Sequence, residues 1–257
     1  MNFELMAEAF PQLIEGIPLT LQLVFLSLAI GFVLAVCIAL ARLAKDPVLP
    51  RLAYAYVYVF RGTPLLVQIF LIYYGLGQFE AVRESILWIV LKEPFWCAII
   101  ALALNTGAYT SEIIRGGIQS VPWGQIEAGK ACGMSRVLLF RRIVFPVAIR
   151  QALPAYGNEI ILMVKSTSLA STITILEVTG IAKKLISATW QPIEIFLVAG
   201  AIYLTMNFIV TRGIAMSERR LNPHLKDRPL PKRTALDRGV TAASAPAPAI
   251  VPSKPAE

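Results

Sequence analysis

The sequence predicts an all-α, polytopic membrane protein with five transmembrane helices, the N-terminus outside the cytoplasm and the C-terminus inside. Three observations predict it. Of the 257 residues, 56% are hydrophobic and only 16% are charged, whereas a typical soluble domain carries about 25% charge. A soluble chain of this length could not hide that much apolar surface in one core. Second, the charges leave long gaps, and about 20 apolar residues suffice to cross the hydrocarbon of a bilayer. Third, the segments between the gaps alternate in their basic content, as positive-inside topology requires.

Taken in order, residues 1–15 contain Glu4, Glu8 and Glu15 and no base. They lack the basic n-region of a cleavable signal and are expected to lie outside. The 26 uncharged residues from Gly16 to Ala41 form the first span, about 17–41. The next segment, 42–51, carries net +2 and belongs inside. The second span, about 53–79, is apolar except for Arg61. An outer segment of net −1 follows, and the 18 uncharged residues after Glu93 give the third span, 94–111. Residues 112–159 carry net +3 and are expected on the inner face. The fourth span, about 160–181, contains Lys165 and Glu177, and the fifth, 195–212, has 17 uncharged residues between Glu194 and Arg212. Between them, 183–194 carries +1, a mild exception to the sign rule. The end of the chain, 218–257, is rich in Ala, Pro and Ser and is expected to be a disordered cytoplasmic tail. The net charge of +8 is thus read as topology, with no nucleic-acid partner implied.

Composition also excludes chemistry. Cys37, Cys97 and Cys132 are odd in number and widely spaced, so they offer neither a disulfide framework nor a metal clamp. The single histidine, His224, lies in the tail. The rival function, a membrane-embedded enzyme acting on lipid or peptide, would need a nucleophile–base pair or metal set within the spans; none is available, and no catalytic or metal site is assigned.

A 48-residue connection without structure would be unusual, and 112–159 reads instead as short helices separated by punctuation. Ser120-Val-Pro122 suits a helix start and Gly133 an interruption. Ser135 can cap a further helix bearing Arg136, Arg141, Arg142 and Arg150 among apolar residues. Such helices can lie on anionic lipid or dock a partner protein. Gly124-Gln-Ile-Glu-Ala-Gly129-Lys130 has the spacing of a phosphate-binding loop. Ala131 stands where Ser or Thr must hold magnesium, and Glu127 would face the phosphates, so no nucleotide site is assigned.

Those residues fit another pattern better. Glu127-Ala128-Gly129, Gly133 and Ile143-Val-Phe-Pro146 resemble the EAA signature of ABC importer permeases, with Gly129 in place of its second Ala and Phe145 in place of its Leu. The resemblance narrows through Phe60-Arg-Gly-Thr-Pro64-Leu-Leu-Val-Gln68, Asn105-Thr-Gly-Ala-Tyr-Thr-Ser-Glu112, Leu153-Pro-Ala-Tyr-Gly-Asn-Glu159 and Lys165-Ser-Thr-Ser-Leu. Together these resemble polar amino-acid permeases, above all the M-type subunit of histidine/lysine/arginine/ornithine and octopine or nopaline importers. The similarity covers about residues 15–220.

The resemblance implies the type I ABC importer transmembrane fold over 16–217, a periplasmic N-terminus, and residence in a bacterial inner membrane. Glu127, Ala128, Gly129, Gly133, Ile143 and Pro146 would form the coupling helix that docks an ATPase. The implied partners are a homologous Q-type permease, a dimer of ATP-binding subunits and a periplasmic solute-binding protein, besides the lipid bilayer. ATP and magnesium would sit on the ATPase, with no cofactor on this chain. The implied cargo is a basic amino acid or opine; the alternative is another polar amino acid such as glutamine or glutamate.

An ionisable residue inside a span marks function unless a partner explains it. Glu159 follows a Pro-Ala-Tyr-Gly stretch expected to break the helix onto a cavity, as in broken transporter helices. With Asn158 it is the candidate contact for a cationic cargo; the competing reading pairs it structurally with Lys165. Asn105, Thr106 and Tyr109 are further cavity candidates. Arg61 and Pro64 are read as a structural or gating break, and Lys165 as a partner of Glu159 or Glu177. Glu177 is expected near the wet outer end.

Overall fold

The computed structural model describes residues 2–221, and among these every regular element is helical. Helix α1 (Phe3–Ile14) starts at Asn2, whose side chain accepts from the Leu5 amide at 3.2 Å. It buries Ala9 and Leu13, and the Asn2 amide reaches Glu194 at 3.4 Å. The acidic N-terminal segment is therefore a helix laid on the last one. The calls on 222–257, including His224 and most of the expected tail, lie outside the described residues.

Helix α2 (Ile17–Arg42) is apolar on all sides, with Pro18 in its first turn, where a missing N–H costs nothing. It buries Leu23, Ser27, Gly31 and Ala35 and leaves Phe25 and Val33 exposed. That is the division expected of a helix with lipid on one side and protein on the other. After α2, Asp46 accepts from the Val48 and Leu49 amides at 2.7 and 2.9 Å and so caps the next helix. Those amides, Leu49 foremost, hold its carboxyl below the usual carboxylate range.

Helix α3 (Leu49–Gly62) and α4 (Leu65–Phe70) meet at a 105° bend. Thr63, at φ −113° and ψ 145°, is extended because it precedes Pro64. A π-helical turn and a 3-10 turn carry α4 on to Gln78. Two short helices, α5 (Glu80–Arg83) and α6 (Trp88–Leu91), lead to α7 (Pro94–Gln119).

Helix α7 is the centre of the fold and packs most closely on α2 through small residues. A methyl group built on Gly31 would strike the Thr106 methyl and come within 3.0 Å of the Ala103 carbonyl oxygen. Lipid supplies no hydrophobic drive between helices, so such close backbone approach and its dispersion contacts hold the pair.

Beyond α7 come α8 (Trp123–Ala131), α9 (Arg136–Leu139), a π-helical turn and α10 (Phe145–Ser166). A 3-10 stretch, Thr167–Ile173, then bends by 47° into α11 (Val178–Thr189), and α12 (Pro192–Leu221) ends the described chain. Helices α2, α7 and α12 are each long and apolar enough to cross a membrane, and counting each bent pair as one span gives up to five.

Residues 112–159 differ from the expected string of short helices. Helix α7 continues through Glu112 to Gln119, and α10 already contains 145–159. Glu112 remains tolerable in α7 because Arg42 and Arg115 pair with it, at 3.3 and 2.6 Å. Nor does Pro-Ala-Tyr-Gly break α10: Pro154 is inside a continuous helix. The turn before it lies against α7 at Gly117, where an added methyl would meet the Ala148 carbonyl at 2.8 Å and the Ala152 methyl at 3.1 Å.

Candidate functional site

The bend between α3 and α4 leaves the last carbonyls of α3 without helical partners. Gln68 on α4 supplies them: its side-chain amide donates to the Phe60 carbonyl at 2.9 Å, the Thr63 carbonyl at 3.1 Å and the Thr63 hydroxyl at 2.8 Å. Asn105 on α7 donates to the same Phe60 carbonyl at 3.2 Å and to the Gln68 side-chain oxygen at 3.0 Å. The break is thereby locked to α7. Sequence reasoning placed Asn105 at a cavity and passed over Gln68. The signal was available, since a polar side chain beside a proline break in lipid must find backbone to satisfy.

On the open side of this lock is a cavity of about 470 Å³, lined among others by Arg61, Pro64, Asn105, Tyr109 and Glu159. Glu159 is only 8% exposed, and one carboxylate oxygen accepts from the Thr106 hydroxyl at 2.8 Å. Thr106 itself is fully enclosed behind Glu159. The Arg61 guanidinium lies over the Tyr109 ring, 4.9 Å from its centre, a geometry that favours a cation. Of the sequence candidates, Arg61, Pro64, Asn105, Tyr109 and Glu159 thus come together, with Thr106 supporting. Asn158 does not join them; it is exposed on the neighbouring face of α10.

Lys165 needs correction. It is exposed, and the ion pairs among the described residues join Glu112 to Arg42 and Arg115 only. Lys165 follows Glu159 by six positions, which places the two on different helix faces. Glu177 is likewise neither wet nor paired with Lys165. It is fully buried, caps α11 by accepting from the Gly180 amide at 2.9 Å, and accepts from the Tyr203 hydroxyl at 2.5 Å.

The EAA-like residues form one small unit. Pro122 precedes α8, as Ser120-Val-Pro122 suggested, and the helix ends in a Schellman arrangement. The Gly133 amide bonds to the Lys130 carbonyl at 2.9 Å and the Met134 amide to the Gly129 carbonyl at 3.1 Å. Gly133 has φ +75°, a left-handed conformation natural to glycine. Ser135 then caps α9 by accepting from the Leu138 amide at 3.4 Å. Gly129, the departure from the usual Ala, is buried against α9 and the π turn. A methyl there would collide with the Leu139 side chain and meet Ile143 at 2.8 Å. Glu127 and Ala128 face outward, Ile143 is half-buried, and Pro146 sits in the first turn of α10. Trp123 and Val137 are 68% and 78% exposed on the same unit.

Comparison with known proteins matches residues 27–223 to the family described as binding-protein-dependent transport system inner membrane component. The chain is 62% identical over 229 residues to the nopaline transport system permease protein NocM of Agrobacterium fabrum, covering 89% of this chain and 95% of that protein. It is 58% identical over 232 residues to the octopine transport system permease protein OccM of Rhizobium meliloti, covering 90% and 95%. A solved structure described as an amino acid ABC transporter with histidines matches with a TM-score of 0.77 and 36% identity, over 86% of this chain and 99% of that one. The fold agrees with that structure, and the chain belongs to the family of binding-protein-dependent transport system inner membrane components.

Proposed function

We propose that this permease serves an ATP-driven importer whose cargo is a basic amino acid or an opine of the octopine or nopaline type, and that Glu159 receives the cationic group of that cargo. One observation carries the site assignment. Glu159 is a nearly buried carboxylate facing a cavity, and its hydrogen-bond partner among the described residues is a neutral hydroxyl. Octopine and nopaline both bear a guanidinium, which a carboxylate binds through charge-assisted hydrogen bonds. The relatives named for those two opines support the cargo class.

In this reading the chain lies in a bacterial inner membrane with α1 on the periplasmic side. It pairs with a homologous Q-type permease and receives solute from a periplasmic binding protein. Two ATPase subunits, which hold the ATP and magnesium, dock at α8. The exposed Trp123 and Val137 beside the outward face of Glu127 and Ala128 support docking there. Closure of the ATPases on ATP biases the cavity opening because ATP binds one conformation better than the other.

The test is uptake by the reconstituted importer. Glu159→Gln should impair uptake of L-arginine or octopine while the ATPase still co-purifies; undiminished uptake would overturn the cation assignment. Gly133→Val should weaken ATPase docking, and intact coupling in that variant would count against α8 as the docking element.

A further inference from the structure

Arg61 stands between two adjoining cavities. One is the cavity holding Glu159; the other, of about 550 Å³, is lined by Arg42, Tyr54, Tyr58 and Glu112 as well as Arg61 and Tyr109. The two arginines in the second cavity differ in one respect. Arg42 stacks on Tyr54 at 4.8 Å and also bonds to Glu112 at 3.3 Å. Glu112 is further bound by Arg115, so the acid of that cavity is already neutralised. Arg61 stacks on Tyr109 but forms neither an ion pair nor a side-chain hydrogen bond with the described residues. Its position in the last turn of α3 makes a cation tolerable there, because the helix C-terminus carries partial negative charge.

One cavity therefore presents a carboxylate hydrogen-bonded by a neutral donor and, within electrostatic reach of it, a guanidinium stacked on a tyrosine ring. We infer that Arg61 is the anion subsite of the permease. It takes a carboxylate of the cargo while Glu159 takes the cationic group, so the chain selects a solute charged at both ends. This rests on the reading that the Glu159 cavity receives the cargo. A guanidinium offers parallel donors that match a carboxylate in bidentate geometry. Tyr109 fixes the plane of that fork before cargo arrives, and Pro64 and Gln68 fix the backbone that carries it.

The test uses the complete permease–ATPase complex in nanodiscs, without binding protein, and measures direct binding of octopine and of octopine diamide, whose carboxylates are neutralised. The wild-type complex should prefer octopine. Arg61→Gln should weaken octopine roughly tenfold to a hundredfold, as loss of hydrogen bonds between charged groups implies, and leave the diamide, whose cationic groups Arg61 repels, bound at least as tightly as in the wild type. Arg61→Lys should retain part of the preference, and it replaces Arg61→Gln if the latter fails to assemble. Glu159→Gln should weaken both ligands. A wild type indifferent to the diamide, or an Arg61 variant that weakens both ligands alike or neither, overturns the anion subsite. If Glu159→Gln alone has no effect, the cation assignment fails while the carboxylate contact at Arg61 stands.

Discussion

Thr106 on α7 donates its hydroxyl proton to Glu159 on α10 across 2.8 Å, and both side chains are buried. On the far side of Thr106, α2 approaches so closely at Gly31 that an added methyl would strike the threonine methyl. The carboxylate, its donor and the backbone behind the donor form one stack through three helices.

Thr106→Val keeps the shape of the side chain and removes its donor. It should cost about 1–3 kcal/mol of stability, the penalty for a buried acceptor left unsatisfied. Thermal unfolding of the purified complex measures this, and uptake of L-arginine or octopine should show a raised KM. An unchanged melting temperature together with an unchanged KM would remove Thr106 from the site.

Gly31→Ala should destabilise the complex by about 1–3 kcal/mol through overpacking against Thr106. Adding Thr106→Ser removes the struck methyl while keeping the hydroxyl. The double variant should therefore recover part of the loss, the rest persisting because the Ala103 carbonyl is backbone. Strictly additive melting temperatures would contradict this contact.

Gln68→Leu deletes the three bonds donated by the Gln68 amide and the one it accepts from Asn105, and should cost about 1–3 kcal/mol. Asn105→Ala should cost less, since Gln68 continues to serve the Phe60 carbonyl. The order of the two melting temperatures is the check, and a reversed order would place the lock on Asn105 instead.

At the coupling unit, Gly133→Val forces a β-branched residue into left-handed backbone, at a cost of about 1–2 kcal/mol. Gly133→Asn should be tolerated far better, because asparagine visits that region readily. Co-purification of the ATPase should fall in the valine variant and persist in the asparagine one; equal behaviour would show that the cap geometry does not matter for docking.

Much of this was legible in local sequence. The charge gaps define α2, α7 and α12, Pro64 places the bend of the α3–α4 pair, and Gly133 and Ser135 mark the end of α8 and the start of α9. Each of those signals acts within a few residues: apolar length, a proline ring against its predecessor, a glycine able to take positive φ. The residues of the EAA-like element were found instead by their resemblance to a family signature.

Other features required the packed chain. Glu159 meets a donor 53 positions away, and Asn105 meets Gln68 across 37. Among the described residues Lys165 has no carboxylate partner, and Pro154 does not interrupt α10, contrary to what neighbouring residues suggested. These outcomes depend on how each helix is rotated about its axis and how near its neighbours come, which small residues such as Gly31 and Gly117 set through contacts remote in sequence. By itself the sequence determined that the chain is helical and rich in segments fit for a membrane, because the cost of charge and unpaired backbone in hydrocarbon is local. Its fourth span, 160–181, nonetheless runs across the bend between α10 and α11. Only the tertiary structure decided which polar side chains face one another there, because that is a property of helix pairs.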